Sequence, residues 1–317
     1  MHKIENTQQG HLTDSVIMVR PIDFSFNEQT GLDNEFQHRP TASERSSISQ
    51  RSMVEFESSV QVLQDLGIEV LTLEKHHTDK PLPDAIFPNN WFSTRSNGQI
   101  IIYPMKTENR QNEVQIPQLK TLVTSMGYKV SEVVDLRTQF SANTALEGTG
   151  TLIFHHPSNR LFAAVSERCQ LQALSIYADN FGYQLVNFNT SSANGAPIYH
   201  TNVLMSCGEN FAVITEPVIS GDDKKSVMQN LSDCVDDIII ITEQQMSLNF
   251  CGNILQLKDA NGQPVIALSK SAFEGFSPSQ RKTLERHGSL AICEIPTIER
   301  IGGGSTRCML AENFLTK

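Results

Sequence analysis

Residues 304–312, GSTRCMLAE, form a short strand-like run with no obvious partner close by in the chain. The partner stands at the other end. SVIMVRP (15–21) reads as a strand, and a helix-like segment over 52–66 follows it. Together these make most of a strand–helix–strand module that lacks its inner strand. If residues 304–312 supply that strand, the two chain ends close one blade. A linear sheet would instead leave open edges, which invite association with other chains.

The interior of the chain repeats the same unit. LQDLGIEVLTL (63–73), VTSMGYKVSEV (123–133), ADNFGYQLVNF (178–188) and LERHGSLAICEI (284–295) each read as a helix end, a glycine at C′ and a short strand. The glycines, Gly67, Gly127, Gly182 and Gly288, are 60, 55 and 106 residues apart. The last interval is two periods, and LSDCVDDIIIIT (231–242) supplies the skipped strand without a glycine. Hairpins fall between, as in GTLIFHHPSNRLFAAV (150–165), TNVLMSCGENFAVI (201–214) and GNILQLKDANGQPVIAL (252–268). Helices are expected near 52–66, 114–126, 168–181, 222–231 and 278–287. A repeat of this length signals a propeller or solenoid. The expected fold is α/β, a five-bladed ββαβ propeller over 15–317 with its first blade closed by both chain ends. Residues 1–14 are expected to be a flexible N-terminus. An open α/β sheet shares the helix–glycine–strand pattern; closure of the ends separates the two.

Composition narrows the function. The 317 residues carry a net charge of −10 and no basic run, which speaks against nucleic acid as a partner. The start is polar, with no apolar signal core, and the longest apolar runs, such as DDIIIIT (236–242), are too short to span a bilayer. A soluble, cytoplasmic protein is expected, with no membrane partner. The six cysteines are scattered without a C-x-x-C pair, so neither a zinc site nor a disulfide framework is indicated.

Polar residues that interrupt the apolar strands share the module period. From Asn90 to Glu147, His200, Asn253 and Cys308 the steps are 57, 53, 53 and 55. In a propeller, equivalent points of successive blades converge on the axis. A thiol, an imidazole, a carboxylate and several amides would then line one pit. A thiolate is a strong nucleophile when a cation lowers its pKa, and Arg307 or a protonated His200 is placed in sequence to do so. His200 could protonate a leaving amine and then deprotonate water. Glu147 could fix the imidazole or hold substrate N–H groups, and Gly148 leaves it room to turn inward. Alone, each piece has a plain alternative: Cys308 a core residue, His200 a satisfied core histidine, PNN (88–90) and LEGTG (146–150) turns. Whether Cys251 or Asn253 reaches the pit depends on strand facing. His76–His77 and His155–His156 read as loop residues. With no H-E-x-x-H, no metal is expected, and GGGSTR (302–307) lacks the Lys-Ser/Thr of a phosphate loop.

The ordered set PDAIFPNNW (83–91), LEGTG, SERCQ (166–170), YHTNV (199–203) and GGGSTRCM (302–309) resembles the guanidine-modifying pentein superfamily of arginine deiminases, dimethylarginine dimethylaminohydrolases and amidinotransferases. DFSFNEQTGLDNEFQ (23–37) adds a resemblance to its citrulline-utilisation and amidinotransferase-like branch. The resemblance implies a pentein propeller and covalent catalysis without a cofactor. It makes Cys308 the nucleophile, His200 the general acid/base and Glu147 the supporting carboxylate. Arg168 matches an arginine that binds the substrate carboxylate; apart from the resemblance, Arg110 is a further candidate for that anchor. Asp84 and Phe87 match the D-x-x-F stretch of the hydrolases.

This chain departs from the deiminase pattern at Asn89, Asn90 and Asn202, where acidic residues are usual. Carboxylates suit a guanidinium, which only donates, and would be costly to bury without one. Amides present a donor and an acceptor, as a neutral ureido group does. The expected substrate is therefore a small amino acid, citrulline, cleaved to ornithine, ammonia and carbon dioxide. An amidinotransferase, a deiminase-type hydrolase, or a non-catalytic binding protein of the kind found in a translation-factor context are the alternatives. Segment 24–50 reads as a lid over the pit or as a surface loop, and the outer helices leave room for a homodimer.

Overall fold

The computed structural model describes residues 11–74, 80–141 and 143–317, and within them the repeat resolves into five three-stranded sheets. In each sheet the middle strand pairs antiparallel with an inner strand and parallel with an outer one. A parallel pair needs a crossover, and in each blade a helix provides it. Blade I is Ala311–Glu312, Ser15–Val19 and Glu69–Leu73, crossed by helix Arg45–Asp65. Blade II is Phe92–Thr94, Gln99–Ile102 and Glu132–Asp135, crossed by Ile116–Ser125. Blade III is Ile153–His155, Arg160–Ala164 and Gln184–Phe188, crossed by Leu171–Phe181. Blade IV is Met205–Cys207, Phe211–Ile214 and Asp237–Ile240, crossed by Gly221–Ser232. Blade V is Leu255–Lys258, Pro264–Ser269 and Ser289–Cys293, crossed by Lys270–Gly275 and Pro278–Arg286.

The two chain ends meet in blade I, where Val16 lies opposite Glu312 and Ile17 opposite Ala311. Asn313 N donates to Ser15 O at 2.9 Å, and Thr13 Oγ1 donates to Asn313 O. Thr13 is buried, so packing begins before the expected boundary at residue 15, while residues 1–10 and the pair His76–His77 lie outside the described residues.

Helix faces explain the packing. Leu171–Phe181 buries Ala173, Leu174, Tyr177, Ala178 and Phe181, one stripe of a 3.6-residue period, against Leu161 and Ala163 of its own sheet. Leu174→Ala would cost about 2–5 kcal/mol. The repeat glycines act in two ways. Gly67, Gly127 and Gly182 sit at φ +80°, +88° and +72°, where other residues are strained. Gly288 instead allows close approach, since a Cβ there would come 2.7 Å from Pro264 O. Blade IV leaves its helix through Asp233 in a right-handed conformation and needs no glycine.

Each inner strand is entered through a tight turn, and the five turns meet at one end of the axis. Three of them are short helical turns, Gly148–Thr151, Thr201–Leu204 and Thr306–Met309, with Pro88–Asn90 and residues 250–254 in the equivalent places. Thr201 Oγ1 donates to Thr151 O at 2.7 Å, and Asn253 Nδ2 donates to Asn202 O at 2.9 Å. A Cβ at Gly148 would lie 2.3 Å from Asn89 O, and one at Gly252 2.5 Å from Val203 O. Glycine at these two points lets neighbouring blades close on each other.

Candidate active site

The five turns bring Cys308, His200, Glu147, Asn90, Asn202 and Asn253 together as the period implies. Cys308 is 3% exposed, and its Sγ lies 3.4 Å from Asn202 Nδ2 and 3.3 Å from Asn253 Nδ2. Asn253 thus reaches the pit, whereas Cys251 turns into the core and meets Ala272 O. The Glu147 carboxylate is fully buried. One oxygen bonds His200 Nε2 at 2.7 Å and Arg168 Nη1 at 3.3 Å, and the other accepts from Lys106 N at 2.9 Å. His200 and Cys308 both line a narrow pocket walled by Asp84, Phe87, Asn90, Arg110, Arg168, Tyr199 and the glycines 302–304.

Charge in the pit follows from burial and partners. Burial alone would raise the Glu147 carboxyl, but the Arg168 charge and the His200 hydrogen bond hold it well below the usual carboxylate range. Burial pushes His200 down, against the pull of Glu147, with Arg168 and Arg110 adding to the fall. Burial also raises the Cys308 thiol, against the Ser305 backbone, the two asparagines and Arg307. Both shifts favour the uncharged forms, a thiol and a neutral imidazole.

Arg307, expected as an activating cation, points the other way. Its Nη1 donates to Leu310 O at 3.0 Å and its Nη2 pairs with Glu312 at 3.1 Å. Consecutive residues of a helical turn do not share a face, so Arg307 extends away from the pit that its neighbour Cys308 lines. The glycine triplet has a packing reason. Cβ atoms at Gly302 and Gly304 would come within 2.8 and 3.0 Å of the Phe87 ring, and Gly303 takes φ +62°.

The two arginines differ. Arg110 is spent on structure: Glu113 holds Nε and Nη2, Asn90 Oδ1 accepts from Nη1, and Phe87 O and Asp84 O accept from Nη2. Arg168 lies nearer the mouth with its guanidinium 5.3 Å from the centre of the Tyr199 ring. Its Nε and Nη2 are bonded by Asp33, which also pairs with Lys106 at 2.8 Å.

Asp33 belongs to the segment read as a lid or a loop. Residues 24–44 cover the pit, while residues 45–50 are the start of helix Arg45–Asp65. Asn27 Nδ2 and Thr30 Oγ1 donate to Asp84 Oδ2 at 2.7 and 2.9 Å, and Gln37 Nε2 donates to Gly302 O at 3.0 Å. Sequence reading missed Asp33, Lys106 and Glu113 as residues of this neighbourhood; the only signal was their nearness to quoted motifs. His155 is no loop residue. It ends the inner strand of blade III, bonded to Ser158 Oγ and Glu209 O.

Several polar atoms of the turns around the pit have no partner: Asp84 Oδ1 and Asn90 Nδ2 in its wall, Asn202 Oδ1 beside Cys308, and both side-chain atoms of buried Asn89 in the same turn as Asn90. Buried polar atoms are normally satisfied, so this mixed set of acceptors and donors marks where a polar ligand fits. Among the described residues no three His, Cys, Asp or Glu side chains cluster to hold a metal ion, and no helix is long and apolar enough to cross a membrane.

Comparison with known proteins identifies the fold and the family. No curated protein sequence matches the chain. Among solved structures, the substrate-bound N-terminal domain of ArgZ, an arginine dihydrolase from the ornithine–ammonia cycle in Cyanobacteria, superposes with a TM-score of 0.71 at 15% identity. That match covers 94% of this chain and 97% of that domain. The chain spans 40% of full-length ArgZ. A DDAH variant from Pseudomonas aeruginosa in complex with citrulline gives 0.64 at 13% identity, covering 96% and 100%. The model of the eukaryotic N,N dimethylarginine dimethylhydrolase family matches residues 20–315. With that match across nearly its whole length, the chain belongs to the N,N dimethylarginine dimethylhydrolase family, a family of cysteine-dependent hydrolases of guanidino compounds within the guanidine-modifying pentein superfamily.

Proposed function

We propose that the chain hydrolyses the C–N bond at the terminal carbon of a ureido amino acid, with citrulline as substrate. The observation that carries this reading is the set of unpartnered amide atoms around Cys308. Asn202 offers an acceptor and Asn90 a donor, as a neutral ureido group requires, and Asn89, next to Asn90 in the same turn, is assigned to the same task.

The Cys308 thiol gives its proton to His200, and the sulfur adds to the ureido carbon. The bond to the side-chain nitrogen breaks, and His200 returns the proton to that nitrogen, releasing ornithine. A thiocarbamoyl group remains on Cys308. His200 then takes a proton from water, which adds to this carbon. The thiol is regenerated, and the carbamic acid released decomposes to ammonia and carbon dioxide. Glu147 orients the imidazole and stabilises it once protonated, through the 2.7 Å bond. Arg110 positions Asn90 and the 84–90 turn. Arg168 receives the substrate α-carboxylate when Asp33 gives way.

One observation favours a second reading, a guanidinium substrate. Asp84 Oδ1 has no donor, and an arginine-like side chain would supply one together with a charge that lowers the Cys308 thiol further. Citrulline and arginine assayed in parallel for ammonia and ornithine decide between them. Ornithine from citrulline alone supports the ureido reading. Citrulline from arginine replaces it with the second. Ornithine from both means that the same thiol performs two successive hydrolyses. Asn90→Asp sharpens the test, since it should move preference toward arginine; an unchanged ratio removes the argument from the amides.

A further inference from the structure

A second polar recess lies at the end of the propeller axis away from Cys308. It is walled by Phe154, Tyr177 and Tyr183 and carries Arg95, His156 and Glu312. Arg95 is 4% exposed, follows the inner strand of blade II, and lies 4.9 Å over the Phe181 ring. The stacked ring takes the face of the guanidinium and leaves its in-plane N–H groups free for hydrogen bonds. Nε and Nη1 have no acceptor, and Nδ1 of His156, whose ring stacks on Phe154, has no partner.

The charge does not balance. A guanidinium stays protonated in a protein, and a buried charge is tolerated only when paired and hydrogen-bonded. Arg95 makes no ion pair among the described residues. Glu312, the carboxylate of this recess, is held by Arg307 at 3.1 Å. The one carboxylate lining the recess is thus taken by Arg307, and Arg95 is left without one. We infer that the recess binds a small oxyanion, a carboxylate or a phosphate, that accepts from Arg95 and from the Nδ1–H tautomer of His156. The aromatic walls restrict it to a small group and exclude a bulky ligand.

Calorimetric titration of the full chain with inorganic phosphate and, separately, with acetate at fixed ionic strength tests this. One saturable site is expected. Arg95→Met should weaken it by about tenfold or more, since a charge-assisted hydrogen bond is lost, and Arg168→Met, at the mouth of the other pocket, should leave it in place. The anion that saturates at the lower concentration identifies the oxyanion type. No saturable site for either anion overturns the inference, as does binding that survives Arg95→Met and disappears in Arg168→Met. If Arg95→Met fails to fold, His156→Phe keeps the stack on Phe154 and removes Nδ1; an unchanged affinity in that variant is equally decisive against the site.

Discussion

Cys308 and Cys207 stand at opposite ends of the same axis, and burial raises both thiols. Cys207 ends the inner strand of blade IV and lines a pocket with His156, Gln256 and Arg307. Cys308 has two amide donors within 3.4 Å and shares its pocket with an imidazole held by a carboxylate. At Cys207 nothing offsets burial, whereas at Cys308 hydrogen bonds and the Arg307 charge do. What separates them is the set of groups able to stabilise a thiolate and move its proton once a substrate has displaced water.

The largest expected effect tests this contrast directly. Cys308→Ser should lower turnover by at least about 10³-fold, as loss of a nucleophile does, with the fold retained by circular dichroism. Cys207→Ser should leave turnover within a few-fold. Comparable activity in both variants would end the distinction. Glu147→Gln comes next. It removes the charge that holds His200 and unbalances Arg168, so kcat should fall by about 10²–10⁴-fold with a smaller change in KM. A change confined to KM would make Glu147 a substrate ligand instead.

The parts of this contrast that repeat were legible in the sequence. Asn90, Glu147, His200, Asn253 and Cys308 are spaced by the blade period because each enters an inner strand at the same point. The closed first blade was legible because residues 304–312 had no other partner. Arg307 was misread for a local reason, since it faces away from its neighbour, while Gly288 stands at C′ as expected but serves close approach. Asp33 and Lys106 were invisible because their partners lie in other blades, and no period relates a covering segment to the turns beneath it. The assignment of Arg168 was open in the same way, since its motif says nothing of a carboxylate from residues 24–44.

Acid sensitivity gives a smaller test. His156 is pushed down to about 3 by burial, with His11 and His155 adding to the fall. His200 is lowered too, burial again leading. A histidine with a folded pKa below its unfolded value of about 6.5 leaves the unfolded chain binding more protons under acid conditions. Its contribution to stability is intact above that value and declines as pH falls from there toward about 3. Melting temperature should therefore drop between pH 7 and pH 5 by a slope that His156→Phe reduces. An unchanged slope would mean that this histidine is solvated in the folded protein.

The smallest effect concerns the mouth of the pit. Asp33 is partly exposed and bonds the guanidinium that the proposed reaction assigns to the substrate carboxylate. Substrate and Asp33 then compete for Arg168, and every binding event must first break that bond. Asp33→Asn weakens the competitor without touching Cys308, His200 or Glu147. KM for an amino-acid substrate should fall by about two- to fivefold, the scale of one partly exposed ion pair, while kcat holds or falls slightly because the cover closes less firmly. An analogue without the α-carboxylate should gain nothing, since it never contests Arg168. If KM instead rises for both compounds, Asp33 serves to hold residues 24–44 over the bound substrate. The α-carboxylate must then be bound elsewhere than at Arg168.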